Sequence, residues 1–193
     1  MVEDDAQSKC AYIDSIIAGL EQPVGRRLAV PWLSQLGPDA AFAPGDCGPA
    51  CLAMWLRWLG HEGVTVDQVS AQVNLPRGYS YTMPAHLVRA ARAWDVNLYW
   101  RRGLSLDALR AEIDRGQPCI VLVHYPFLPL RYDLRYSAGH WVLVNGYSED
   151  KVVYLDPYFQ VGGEVDATIG KFMRAWGNNH LDGNSNFQAL RIR

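Results

Sequence analysis

The amino-acid sequence predicts an α+β fold in which an N-terminal helical half packs on a C-terminal antiparallel β-sheet. Three observations carry this expectation. Helical periodicity dominates the first half of the chain, strand-like apolar runs dominate after residue 95, and the regular strand–helix alternation that marks a parallel sheet is missing. With 193 residues, 49% of them hydrophobic, the chain is long enough to bury one sizeable core. It divides into a helical extension over residues 1–27 and a single domain over residues 28–193.

In the extension, Tyr12, Ile13, Ile16, Ile17 and Leu20 recur at helical spacing, and Gly19, Pro23 and Gly25 end the pattern. A short strand is expected over 28–33, followed by a Gly/Pro/Ala-rich loop over 37–45. The clearest local signal comes next. Asp46 suits an N-cap, and Pro49 falls in the first turn, where its missing N–H costs nothing. Cys51, Leu52, Met54, Trp55, Trp58 and Leu59 then make a broad apolar surface, which Gly60 stops. Further helices are predicted over 66–73, 84–94 (entered from Thr82 or Met83), 106–115 (capped by Ser105, ended by Gly116 and Pro118) and 168–176. Strands are predicted over 96–101, 119–125, 140–147, 152–156 and 187–192.

Composition excludes several functions. Eighteen Lys and Arg against twenty Asp and Glu give a formal charge of −2 with no long single-sign run, which argues against a nucleic-acid partner. The longest apolar runs, such as 119–123 and 141–144, fall far short of the roughly 20 residues of a membrane span. The acidic start Met1-Val2-Glu3-Asp4-Asp5 does not read as a secretory signal, so a cytoplasmic location is the expectation. Four cysteines, at 10, 47, 51 and 119, are too few for a disulfide scaffold and are read as thiols. Oligomeric state is not legible.

One constellation carries chemistry. Cys47 falls in the first turn of a predicted helix, where unpaired N–H groups and the macrodipole favour an anion, although Asp46 next door works slightly against it. A helix-borne cysteine is ordinarily an inert packing residue; the position at the N-terminal end is what sets this one apart. Of the five histidines, His140 alone comes with an orienting partner. If the strands starting at His140 and Val152 form a hairpin across a three-residue loop, Ser148-Glu149-Asp150, then Tyr147 faces Lys151 and Val142 faces Asp156. His140 and Asp156 then share a face as diagonal neighbours, about 7–8 Å apart at the backbone. A loop one residue different would put them on opposite faces. A carboxylate on one ring nitrogen fixes the tautomer and raises the basicity of the other, completing a nucleophile, base and orienter. Taken singly, His140 reads as a strand-end histidine and Asp156-Pro157 as a turn starter.

The stretches Val30-Pro-Trp-Leu-Ser-Gln35, Asp46-Cys-Gly-Pro-Ala-Cys-Leu-Ala-Met54, Gly116-Gln-Pro-Cys-Ile-Val-Leu-Val123, Gly139-His-Trp-Val-Leu-Val-Asn-Gly-Tyr147 and Val153-Tyr-Leu-Asp-Pro157 resemble papain-like cysteine peptidases of the bacteriocin-processing, double-glycine-leader type. The resemblance runs in order over roughly residues 28–160 and is most specific at the cysteine and histidine blocks. It implies a papain-like fold and a peptide or protein substrate. It implies Cys47 as nucleophile, His140 as general base and acid, Asp156 as the group orienting His140, and Gln35 as an oxyanion donor beside the Cys47 N–H. Two departures stand out. Gln35 lies twelve positions before Cys47, farther than in those peptidases, so residues 36–45 must bulge out. The chain also lacks a spanning helix and a phosphate-binding Gly-rich loop, so it resembles stand-alone relatives rather than exporter domains.

Cys51, one turn beyond Cys47, and Cys119, in an apolar strand, are read as packing residues, and His124 as a reserve base without an acidic mate. The unpatterned segment Tyr125 to Ser137 is a wall or lid over the site, or an ordinary surface excursion. No cofactor is called for. Zinc on Cys47, Cys51 and a histidine is a weak rival, since no second cysteine pair follows. The same constellation serves three functions: a peptidase, an acyltransferase or amidase acting on a non-peptide substrate, and a catalytically silent peptide-binding module.

Overall fold

The structure, a computed structural model, describes residues 25–37, 45–75, 81–178 and 189–192. The helix predicted in the extension and most of the 37–45 loop lie outside the described residues. The strands are β1 (Gly25–Arg27), β2 (Leu98–Arg101), β3 (Cys119–His124), β4 (Gly139–Ser148), β5 (Lys151–Leu155), β6 (Glu164–Thr168) and β7 (Ala189–Ile192). The helices are α1 (Cys47–Trp58), α2 (Val66–Val73), α3 (Pro84–Ala91), α4 (Leu106–Asp114) and α5 (Ile169–Gly177), with 3-10 turns at Arg92–Trp94 and Tyr125–Phe127.

Every described strand pairing is antiparallel. The order is β2-β7-β3-β4-β5-β6, with β1 also on β4. β3 and β4 are buried over nearly their whole length, which is why they read as continuous apolar runs rather than alternating ones. α1 is buried from Cys47 through Leu56 and packs on β4, α2 and α3. A helix apolar on all sides belongs inside a core, and this one fixes where residue 47 sits. The shorter helices follow their caps. Thr65 and Gln68 form a reciprocal capping box on α2, Ser105 Oγ accepts from the Ala108 N–H on α4, and Gly116, at φ +77°, closes the turn after α4. On α3, Pro84 takes the first position and His86 Nδ1 accepts from the Met83 N–H.

Two predicted elements are corrected and one strand is added. The strand expected over 28–33 is instead β1, so the sheet begins ahead of the boundary drawn after residue 27. The Leu28 N–H donates to Asn145 O, the Val30 N–H turns back to Leu28 O, and Pro31 cannot continue a ladder. The helix over 84–94 is α3 plus a 3-10 turn, ended by Asp95 at φ +58°. β6 was not predicted: its burial alternates, with only Val165 and Ala167 turned inward from an edge position.

The hairpin reaches the expected pairing by another route. Tyr147 faces Val152, not Lys151, because the loop is Glu149-Asp150 and Ser148 belongs to β4. That is a one-residue shift, which would have placed His140 and Asp156 on opposite faces. A β-bulge between Val144 and Gly146 absorbs it, and beyond the bulge Val144 faces Tyr154 and Leu143 faces Leu155. Continued one step, this register puts Val142 opposite Asp156.

Candidate active site

Cys47 is the first residue of α1, 8% exposed. Its placement follows from close packing around the helix start. A side chain on Gly48 would meet Thr82 and Trp141 at 2.9–3.1 Å, and Trp141 in turn donates its indole N–H to Thr82 O at 2.8 Å. Asp46 takes the N-cap position, but its side chain does not cap; Asp46 Oδ1 accepts from Ser70 Oγ of α2 at 2.8 Å. The expected capping bond is therefore replaced by a bond between helices. The carboxylate that was expected to disfavour a negative Cys47 is engaged by α2 instead.

His140 and Asp156 meet. His140 Nε2 lies 2.7 Å from Asp156 Oδ1, and the two side chains are 1% and 0% exposed. The same Oδ1 accepts the Tyr158 N–H at 2.8 Å, so the Asp-Pro turn and the histidine partner are one oxygen atom. Cys47 lies close enough to the same imidazole to act on its charge, and Nδ1 is the ring nitrogen that the Asp156 bond leaves for it. Burial presses His140 toward the neutral form. The Asp156 charge and hydrogen bond, joined by the influence of Cys47, outweigh it and push the imidazole up to about 10. The Asp156 carboxylate thus favours the charged form of the ring.

The strap from Trp32 to Gln35 binds the far side of Asp156. The Trp32 indole donates to Asp156 O at 2.9 Å, the Gln35 N–H donates to Pro157 O at 2.8 Å, and Ser34 Oγ donates to Phe159 O. Gln35, 3% exposed, is thus anchored one residue from Asp156. Gly163 closes this corner, since a Cβ there would sit 2.1 Å from both Asp156 O and the Trp32 indole nitrogen.

Aromatic rings enclose the imidazole. Tyr125 meets His140 edge-on, centroids 5.0 Å apart at 80°, and Tyr158 is 6.0 Å away. Tyr136 meets both tyrosines edge-on and donates its hydroxyl to Gly139 O. Tyr125, Tyr132 and Tyr136 all fall in the unpatterned segment from Tyr125 to Ser137, in which no local pattern singles them out. Tyr158 and Gly163 carry no signal beyond following Asp156.

The other candidates fall elsewhere. Burial, with the charges of Cys47 and Asp156, raises the Cys51 thiol well above its ordinary range, and burial pushes Cys119 up to about 12; both are packing thiols. His124 Nε2 faces Ser137 O and its ring packs on Phe127. Among the described residues there is no cluster of three or more His, Cys, Asp or Glu suited to a metal, and no helix long and apolar enough to cross a membrane.

The fold has known counterparts. A C39-like peptidase from Bacillus anthracis superposes with a TM-score of 0.63 at 19% identity, covering 88% of this chain and 97% of that one. A double glycine motif protease from an AMS/PCAT transporter, solved in complex with the leader peptide, gives 0.55 at 19%, covering 87% and 95%. The Carica candamarcensis cysteine protease CMS1MS2, in complex with E-64, gives 0.54 at 14%, covering 88% and 98%. At such identities the likeness is one of fold: helices on a curled antiparallel sheet, as in papain-like cysteine proteases. Comparison with curated protein sequences gives no match. The Peptidase_C39 like family matches residues 27–181, well over half of the sequence. The chain belongs to that family of C39-like peptidases.

Proposed function

We propose that the protein is a cysteine peptidase that cleaves a peptide bond through a thioester on Cys47. The observation that carries this reading is the buried His140–Asp156 pair, 2.7 Å apart, with its imidazole under the influence of a cysteine at the first residue of a buried helix. In the reading, the Cys47 sulfur attacks the substrate carbonyl and the Cys47 N–H, with the Gln35 side-chain amide, holds the oxyanion. The imidazolium of His140 gives its proton to the leaving amine, and the neutral ring then takes a proton from the water that opens the thioester. Asp156 holds the ring and its charge throughout. A peptide is the substrate class assigned, because the family is one of peptidases and the double glycine motif protease of this fold carries a leader peptide.

The test is a peptide library incubated with wild type and with Cys47→Ala, with new termini read by mass spectrometry. Cleavage by wild type, lowered by about 10³-fold or more in the variant, is the expected result. Hydroxylamine in the wild-type reaction should divert the acyl group to a hydroxamate. Near-wild-type cleavage by Cys47→Ala overturns the reading. Transfer of the acyl group to an added primary amine in preference to water would assign acyl transfer in place of hydrolysis.

A further inference from the structure

Tyr125 follows β3 directly and is fully buried, yet its two ends do different things. Its ring stands edge-on against His140 at 5.0 Å and against Tyr136 at 5.3 Å. Its hydroxyl oxygen accepts two backbone N–H groups from the loop that follows, Tyr132 at 2.7 Å and Asp133 at 3.2 Å. Neither of those residues lies in a helix or strand, so the phenol supplies acceptors that secondary structure does not. The tie has a second strand: the Tyr132 ring packs 5.5 Å from the Tyr158 ring, and the Tyr158 N–H donates to Asp156 Oδ1. Burial pushes the Tyr125 phenol up to about 12, so it stays a neutral hydroxyl wherever the imidazolium exists.

The loop held this way faces outward with apolar side chains. Leu130, Tyr132 and Leu134 are 54%, 47% and 71% exposed, in a segment that ends at Tyr136, whose phenol lies within the field of Cys47. Three exposed apolar residues on a loop fastened from beneath, with Tyr132 packed 5.5 Å from Tyr158 and Tyr158 6.0 Å from the His140 ring, are an arrangement for contacting something that approaches the histidine.

We propose that Tyr125 is a positioning residue that couples the base to a substrate-binding wall, its ring steadying His140 and its hydroxyl holding residues 130–136 so that they receive an apolar side chain of the peptide. The proposal rests on the peptidase reading and deepens it.

Tyr125→Phe separates the two roles, because it keeps the ring and removes the acceptor. Two electrophiles are compared on the full chain: iodoacetamide, which needs only the thiol and its base, and a leucyl-containing peptidyl chloromethyl ketone, which also needs the wall. Amide hydrogen exchange of Tyr132 and Asp133 is followed alongside. Tyr125→Phe should slow iodoacetamide labelling far less than it slows the peptidyl probe, because the ring against His140 is kept. It should slow the peptidyl probe about tenfold, the effect of losing one well-placed hydrogen bond, and lower protection at 132 and 133. Tyr125→Leu, which removes the ring, should slow both reagents and move the iodoacetamide profile. If Tyr125→Phe treats the two reagents alike, or wild type shows no preference for the peptidyl probe, the wall is not a binding surface. Unchanged exchange at 132 and 133 removes the tether. Slow iodoacetamide labelling of wild-type Cys47 would instead defeat the peptidase reading itself, while the exchange data would still report on the tether.

Discussion

Asp156 Oδ1 receives two N–H groups, one from the His140 ring and one from its own turn at Tyr158. An amide oxygen can accept in the same way but carries no charge, so Asp156→Asn should keep the turn and lose the counterion of the imidazolium. Turnover should fall by roughly 10²–10⁴-fold with the near-ultraviolet dichroism unchanged. Stability gives a second readout. His140 is pushed up to about 10 from an ordinary 6.5, so its contribution to folding is complete below about pH 6.5 and is lost as pH rises through about 10. The melting-temperature gap between wild type and Asp156→Asn should therefore narrow over that interval, and a gap independent of pH would contradict the assignment. These residues are legible in the sequence because each carries a type-specific signal: a cysteine at a helix start, a histidine at a strand start, an aspartate before proline. Tyr125 is not legible in the same way. A tyrosine closing an apolar strand reads as core, and its hydroxyl partners lie in a loop without periodicity.

The elements that bring these residues together are less visible than the residues. The hairpin turn is two residues rather than three, and only the bulge at Asn145 returns His140 and Asp156 to one face. A bulge depends on what the extra residue bonds. Here the Asn145 side chain donates to Leu28 O and Glu164 Oε2, partners 117 and 19 positions away that no local pattern reveals. The strap from Trp32 to Gln35 is likewise irregular, held by single bonds to the 156–159 segment rather than by a ladder. Its dependence on Gly163 is testable. Gly163→Ala places a methyl group where Asp156 O and the Trp32 indole already sit, so the strap must shift. A loss of about 1–3 kcal/mol in chemical denaturation is expected, together with lowered turnover because Asp156 and Gln35 move. An unchanged denaturation midpoint would show that this corner is not closed as described.

At the scale of the whole molecule, the α+β organisation is legible because the helices carry caps and the central strands are uniformly apolar. The edges are not: β1 is three residues with an Arg pair, and β6 alternates Glu, Val, Asp, Ala and Thr, compositions that suit an exposed rim as well as a loop. The two edges nevertheless meet through Arg27, which pairs with Glu164 and Asp166, reaching along a row in which Gly146 leaves space. β1 and β6 thus bracket β4 and β5, and α1 is pressed on β4 with its first residue toward the start of that strand. The fold exists, in this account, to keep a thiol and a charged imidazole together in a buried place. The measurement that tests this most directly is the rate of iodoacetamide labelling of each cysteine at pH 6, resolved by peptide mass spectrometry, in wild type and His140→Ala. Cys47 should label fast and slow at least about tenfold without His140, while Cys51 and Cys119 stay slow in both. Labelling of Cys47 as slow as that of the two packing thiols, or indifferent to the loss of His140, would contradict it.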